Sequence, residues 1–299
     1  MGRIIVTIVA AVLMSSICVS QSQATSQAVP VSIPGFKVII NGIECGADAF
    51  PGAARAGLPS EEQYPLLLYK SITYVPMTYF KSNLLNLNTA WDAEEGLRIE
   101  AGDAERWKVF EYELAFSKNR INQTAAIVSF PVTVNGKKID NAREPYPLLL
   151  FRDITYFPLT WRFAAEEFGW DYHYSAETGL AITADNSYFY YHHGVEGAGY
   201  KSGQAAVYIH NGLKIWMESH MSRLTASGNL YISREGAVTR IGEQEQAYFG
   251  GPNDPGNYHF EVRDNWVYTL RSTLDPSGYS SPSVPVRVNI DTHETEVLS

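Results

Sequence analysis

The hydrophobic positions of this chain fall into short runs broken by turn residues, and the most distinctive arrangement of them occurs twice. Residues 64–78 read YPLLLYKSITYVPMT and residues 146–160 read YPLLLFRDITYFPLT, identical at ten of fifteen positions. A second copy that close marks a duplicated structural unit. In each copy the apolar run through Tyr69 or Phe151 predicts a strand, and Lys70-Ser71 or Arg152-Asp153 a turn. Ile72–Val75 and Ile154–Phe157 then resume strand. Pro76 and Pro158 cannot donate to a ladder, so each should end its strand. Tyr64, Pro65, Ile72, Tyr74 and Pro76 recur as Tyr146, Pro147, Ile154, Tyr156 and Pro158. Recurrence of these residues argues for core packing.

The flanks repeat too. Phe36–Ile40 runs into Asn41-Gly42, and Phe130–Val134 into Asn135-Gly136; a β-branched run ending in Asn-Gly is a strong hairpin signal. Between Gly42 and Tyr64 the first copy is longer by 12 residues, an Ala/Gly/Pro-rich excess that reads as a surface loop. After the second motif, Thr160 can cap a helix over Trp161–Phe168 that Gly169 would close. The first copy (YFKSNLLNLN) keeps the apolar spacing with weaker helix formers. Each copy finishes on a hairpin, Ala90–Ile99 and Tyr172–Ile182, with glycines 83 residues apart against 82 for the shared motif.

The expected fold class is therefore α+β: two tandem small repeats, each an antiparallel sheet plus a helix, then an all-β antiparallel region. The expected divisions are a signal peptide (1–24), a flexible leader (25–35), repeat 1 (36–103), a connector (104–127), repeat 2 (128–186) and a C-terminal β region (187–299). The connector alternates charge with Trp107, Val109, Phe110, Tyr112 and Leu114, which suits a strand pair or a short helix. In the last region hairpins are predicted at Asn211-Gly212, Glu235-Gly236, Asp264-Asn265 and Asp291-Thr292. The first and third lie 53 residues apart, so two four-stranded, propeller-blade-like units are expected.

Both repeats resemble the copper amine oxidase N-terminal-like domain of secreted Gram-positive bacterial proteins. The likeness rests on Val134-Asn135-Gly136 after a strand, on Arg152–Leu159, on the helix, on Phe168-Gly169-Trp170 and on the glycine hairpin. It covers roughly residues 36–102 and 130–185. Thr78 and Thr160 stand where that pattern usually has Arg, and the first copy lacks the helix-ending Gly. The resemblance implies a stalk-like unit, and neither copper nor oxidase activity. The final stretch is similar to bacterial propeller-like domains of unknown function.

Arg3, the apolar run Ile4–Met14 and Ser22-Gln23-Ala24 form a signal-peptide pattern with cleavage expected after Ala24. Its apolar run is shorter than the ~20 residues of a spanning helix. Removing it deletes Arg3 and no acid, taking the formal charge from −9 to −10. An acidic chain without Lys/Arg runs lacks the footprint of a nucleic-acid binder. Cleavage leaves Cys45 alone, so no intramolecular disulfide can form and packing must hold the fold.

Candidate chemistry is sparse. His192 and His193, with His210 and His220, are the only histidine concentration, but adjacent strand residues face opposite sides and no Cys or acid completes a metal set. Asn257-Tyr258-His259 echoes the oxidase quinone motif with His in place of the acid. Glu94-Glu95, Glu166-Glu167 and Asp291–Glu296 offer paired carboxylates of the kind a glycosidase uses, and equally suit solvated surfaces. Ser280-Ser281 lacks a G-x-S-x-G setting. Trp91, Trp107, Trp170, Trp216 and Trp266 are candidates for a sugar platform, with Trp216, Trp266, His192 and His193 singled out in the C-terminal region. No catalytic, cofactor or metal residue is assigned. The expected function is an exported, non-catalytic structural or interaction protein of the cell surface or wall, with no membrane span in the mature chain. Its partner would be wall polysaccharide or another surface protein. The alternatives are a carbohydrate-binding module and a carboxylate-dependent glycoside hydrolase.

Overall fold

The computed structural model describes residues 27–45, 63–112, 119–192, 203–222, 225–242, 247–249, 260–273 and 281–299. The segment expected to be a signal peptide and the Ala/Gly/Pro-rich loop lie outside them. Strands take 55% of the chain and helix 7%, which overturns the α+β expectation: the fold is mostly β around a six-stranded barrel.

The shared motif has one shape in both copies. Its first copy gives β4 (Leu67–Tyr69) and β5 (Ile72–Pro76), its second β12 (Leu149–Phe151) and β13 (Ile154–Pro158). Lys70-Ser71 and Arg152-Asp153 join them with positive φ at all four residues, as a two-residue hairpin matching strand twist requires. Both strands end at their prolines.

Two further strands close the barrel, in the order β1-β4-β5-β13-β12-β9. One is β1 (Ala28–Ser32), so the leader is not a flexible segment: Val29 and Val31 alternate into the core while Ala28 and Pro30 face out. The other is β9 (Asn122–Ile127), from the connector. The register obeys a pseudo-two-fold axis. Ala28 pairs with Ala126 and Ser32 with Asn122; Tyr156 pairs with Pro76 and Pro158 with Tyr74.

The repeats are not self-contained modules either. The first hairpin of unit 1, β2 (Val38–Ile40) and β3 (Ile43–Cys45), joins the last hairpin of unit 2, β14 (Asp171–Ser175) and β15 (Gly179–Thr183). Reciprocally, β10 (Val132–Val134) and β11 (Lys137–Ile139) join β6 (Leu87–Asp92) and β7 (Gly96–Ala101). Each exchanged contact is parallel, β2 beside β15 and β10 beside β7. Gly96 and Gly179 make the close approach possible: a Cβ on either would stand 2.0 Å from the carbonyl oxygen of Pro131 or Lys37.

Among the described residues each unit has one helix of six residues. α1 (Tyr79–Leu84) is capped by the Thr78 hydroxyl, which accepts from the Lys81 N–H. Arg162–Glu167 is capped by Thr160 but wound wide, with the Phe168 N–H reaching the Phe163 carbonyl five residues back. Helices this short cannot cover a sheet; the hairpin faces cover one another, which is why the layer expectation failed.

The connector also supplies β8 (Lys108–Tyr112), which pairs parallel with β16 (Asn186–His192) in an eleven-stranded C-terminal sheet. Within it, β17 (Gly203–His210), β18 (Leu213–Ser222), β19 (Thr225–Arg234) and β20 (Ala237–Ile241) form one meander. β22 (Glu261–Arg263), β23 (Trp266–Thr273), β24 (Val284–Asn289) and β25 (Thr295–Val297) form another. β21 (Ala247–Phe249) pairs with both β19 and β23, so the two blade-like units share one continuous sheet.

Candidate functional site

The motif residues chosen from the sequence build the barrel. Tyr74 and Tyr156 are fully buried, as are Pro65, Pro76, Pro147 and Pro158, and Tyr64, Ile72, Tyr146 and Ile154 are half-buried around them. Burial, with Tyr69 and Tyr146 close by, pushes the Tyr74 phenol far above its ordinary range, so it stays neutral.

The C-terminal candidates do not form a platform. Trp216 is buried and stacked on Tyr231, with ring centroids 5.1 Å apart. Trp266 is half-buried beneath the Arg287 guanidinium at 4.2 Å, and Arg287 is itself bonded to Glu296 at 2.8 Å. His192 ends β16, while His193 and Asn257-Tyr258-His259 lie outside the described residues. His210 Nδ1 stands 3.2 Å from Asp185. Among the described residues no three His, Cys, Asp or Glu gather as a metal site. Glu167 is held by Lys137 at 2.9 Å, a contact that lowers its pKa, and Glu94 and Glu95 are exposed beside the turn that Asp92 closes. In the third acidic stretch Asp291 pairs with Arg234 at 3.1 Å and Glu296 with Arg287 at 2.6 Å.

A polar junction that the sequence did not announce lies where unit 1 meets the C-terminal sheet. Asn41 is buried; its amide donates to the Leu84 carbonyl at 2.7 Å and accepts from the Ala184 N–H at 2.8 Å. Asn186 donates to the Asn83 carbonyl at 2.8 Å. Asn86, with φ +55°, sits at the helix-ending place where unit 2 has Gly169. Its amide donates to the carbonyls of Gly102 and Asp185 and accepts from the Lys108 ammonium. Lys214 donates to the Asn41 carbonyl at 3.3 Å and lies over the Trp216 ring; burial brings its pKa down to about 8. The hydrogen bonds among these groups join elements of the chain, so the cluster reads as a fastening.

The exposed aromatics follow the duplication. Tyr79 (69% exposed) corresponds to Trp161 (61%), and Trp91 (59%) to Tyr174 (55%). Trp91 sits edge-on to Phe130 at 4.7 Å, and Tyr174 to Phe36 at 5.6 Å, so each ring is held by the first hairpin of the other unit. Phe130 also lines an open groove of about 480 Å³ with Gln27, Ser129, Pro131, Ile139 and Asp140. Sequence reading had Trp91 among its candidates but missed Tyr79, Trp161 and Tyr174; aligning the copies beyond the core motif finds all four.

The chain matches no protein-family model, no curated protein and no solved structure. No helix among the described residues is long and apolar enough to cross a membrane.

Proposed function

We propose that the protein is an exported, non-catalytic interaction protein of the cell surface or wall, its barrel and C-terminal sheet serving as a rigid carrier for the exposed aromatics of the duplicated units. The observation that carries this reading is the pairing Tyr79/Trp161 and Trp91/Tyr174. Large apolar rings kept at the surface at matching places in both copies favour recognition, because burial would otherwise stabilise each by about 1.5–3 kcal/mol. The signal-peptide pattern supplies the expected export, and the resemblance to stalk repeats agrees with a carrier role. Acids held in surface pairs or by lysine give the hydrolase alternative no support.

The test is co-sedimentation of the mature protein with purified cell wall. Wild-type protein should pellet with the wall, and a variant with Tyr79, Trp91, Trp161 and Tyr174 all changed to Ser should stay in solution while melting at a similar temperature. A wild-type protein that stays in the supernatant removes the proposal.

A further inference from the structure

We infer that the groove beside Phe130 binds a neutral oligosaccharide, with Trp91 as the ring on which a sugar stacks. This rests on the interaction-protein reading and gives it a ligand class. At about 480 Å³ the groove lies within the ~300–1,000 Å³ of small-molecule sites, large enough for one or two sugar rings. Its walls mix the two chemistries a pyranose presents. Gln27, Ser129 and Asp140 offer amide, hydroxyl and carboxylate to sugar hydroxyls, while Pro131 and Ile139 supply apolar surface for C–H faces.

The wall is preorganised. Asn141 spends its side chain inside the protein, donating to the carbonyls of Val128 and Leu148 and accepting from the Leu148 N–H at 2.7 Å. Trp91 lies outside the lining but packs on Phe130 at the groove's edge, perpendicular at 87° and more than half exposed, so a sugar that extends past that edge stacks on it with little further ordering. Charge selects among polymers. No Lys or Arg lines the groove, and its one charged group, Asp140, is paired with Arg143 at 3.4 Å, so the groove offers no unpaired cation to an anionic glycan and favours a neutral one.

The experiment titrates the mature protein with cellotetraose, chitotetraose, maltotetraose and xylotetraose, following tryptophan fluorescence, with tetragalacturonate as the anionic control. At least one neutral tetrasaccharide should saturate the signal with a dissociation constant on the order of 0.1–1 mM. Trp91→Ala should weaken it at least tenfold, and so should Ser129→Trp, which fills the groove from an exposed position and does not depend on the Trp91 contact for folding. Val238→Ala trims an exposed side chain of the C-terminal sheet, away from the groove and from the four exposed rings, and should bind as wild type. No saturation by any neutral tetrasaccharide, unchanged binding in both Trp91→Ala and Ser129→Trp, or equal binding of tetragalacturonate overturns the inference. Wall retention without tetrasaccharide binding would remove the sugar and leave the interaction reading; loss of both would remove both.

Discussion

The two duplicated units share a backbone plan and differ in what covers them. In unit 1 the ends of the helix and of the Asn-Gly turn are sealed by the C-terminal sheet. In unit 2 the same places face solvent. The sequence changes track that difference residue by residue. Leu84, fully buried, corresponds to Glu167, which answers Lys137 at the surface. Asn41 and Asn135 bond equivalent groups, the helix-end carbonyl and the N–H closing the other unit's last strand, but only Asn41 is buried. Asn86 replaces the helix-ending glycine with a residue that tolerates the same left-handed backbone and adds an amide joining two sheets. The departure of the first copy from the glycine pattern is therefore the mark of a docking surface.

What the units share should break first. Gly96→Ala and Gly179→Ala each place a methyl 2.0 Å from a backbone oxygen at φ +79° or +77°, at the exchanged parallel contacts. We expect each to cost about 4 kcal/mol or more, or to prevent folding, and to do so equally in both halves. Urea unfolding of the two variants checks it. A tolerated Gly179→Ala with a destructive Gly96→Ala would show that the exchange closes in only one half.

Next comes the buried amide. Asn→Gly keeps the left-handed backbone and removes only the side-chain bonds, so Asn41→Gly should cost about 2–3 kcal/mol and Asn135→Gly about 1 kcal/mol. A smaller step follows at the helix end. Asn86→Gly strips the junction of its bridging amide and should cost about 1 kcal/mol. Gly169→Asn should be tolerated within about 0.5 kcal/mol, because no atom lies within 4 Å of the new Cβ and Asn accepts φ +68°. Equal costs at Asn41 and Asn135, or a neutral Asn86→Gly, would dissolve the asymmetry.

How much of this was legible follows from range. Local features could be read: the doubled motif, its turns, the terminal prolines, the Thr160 cap and the four C-terminal hairpins each depend on residues a few positions apart. The exchange of hairpins could not, because β2 beside β15 and β10 beside β7 use the same alternating strands that a self-contained module would use. Val29 and Val31 were too few to outweigh Pro30 and the polar residues around them, so β1 passed for a leader. The helix prediction had the cap and closure right and overestimated the layer; six residues bury one stripe, and Phe163 and Ala164 carry it. The candidate tryptophans failed at Trp216 and Trp266 because composition does not say which strand face is covered. The exposed rings were accessible to a longer alignment of the two copies.

The smallest effect is electrostatic and belongs to the sealed half alone. Lys214 has a folded-state pKa of about 8 against an ordinary 10.5, because burial under the sheet penalises its charge more than the Asn41 carbonyl and the Trp216 face compensate. The unfolded chain therefore binds the proton more tightly than the folded one. Below pH 8 both states are protonated and the folded protein bears the full cost. Between pH 8 and 10.5 the folded state releases its proton first, so this residue makes stability rise with pH through that window. Partial exposure reduces the size to about 1 kcal/mol. The measurement is the difference in unfolding free energy between wild type and Lys214→Gln from pH 7 to 11, which cancels other titrating groups. The wild type should gain relative to the variant across the window; a flat or falling difference would mean that Lys214 sits in water and that the junction is open.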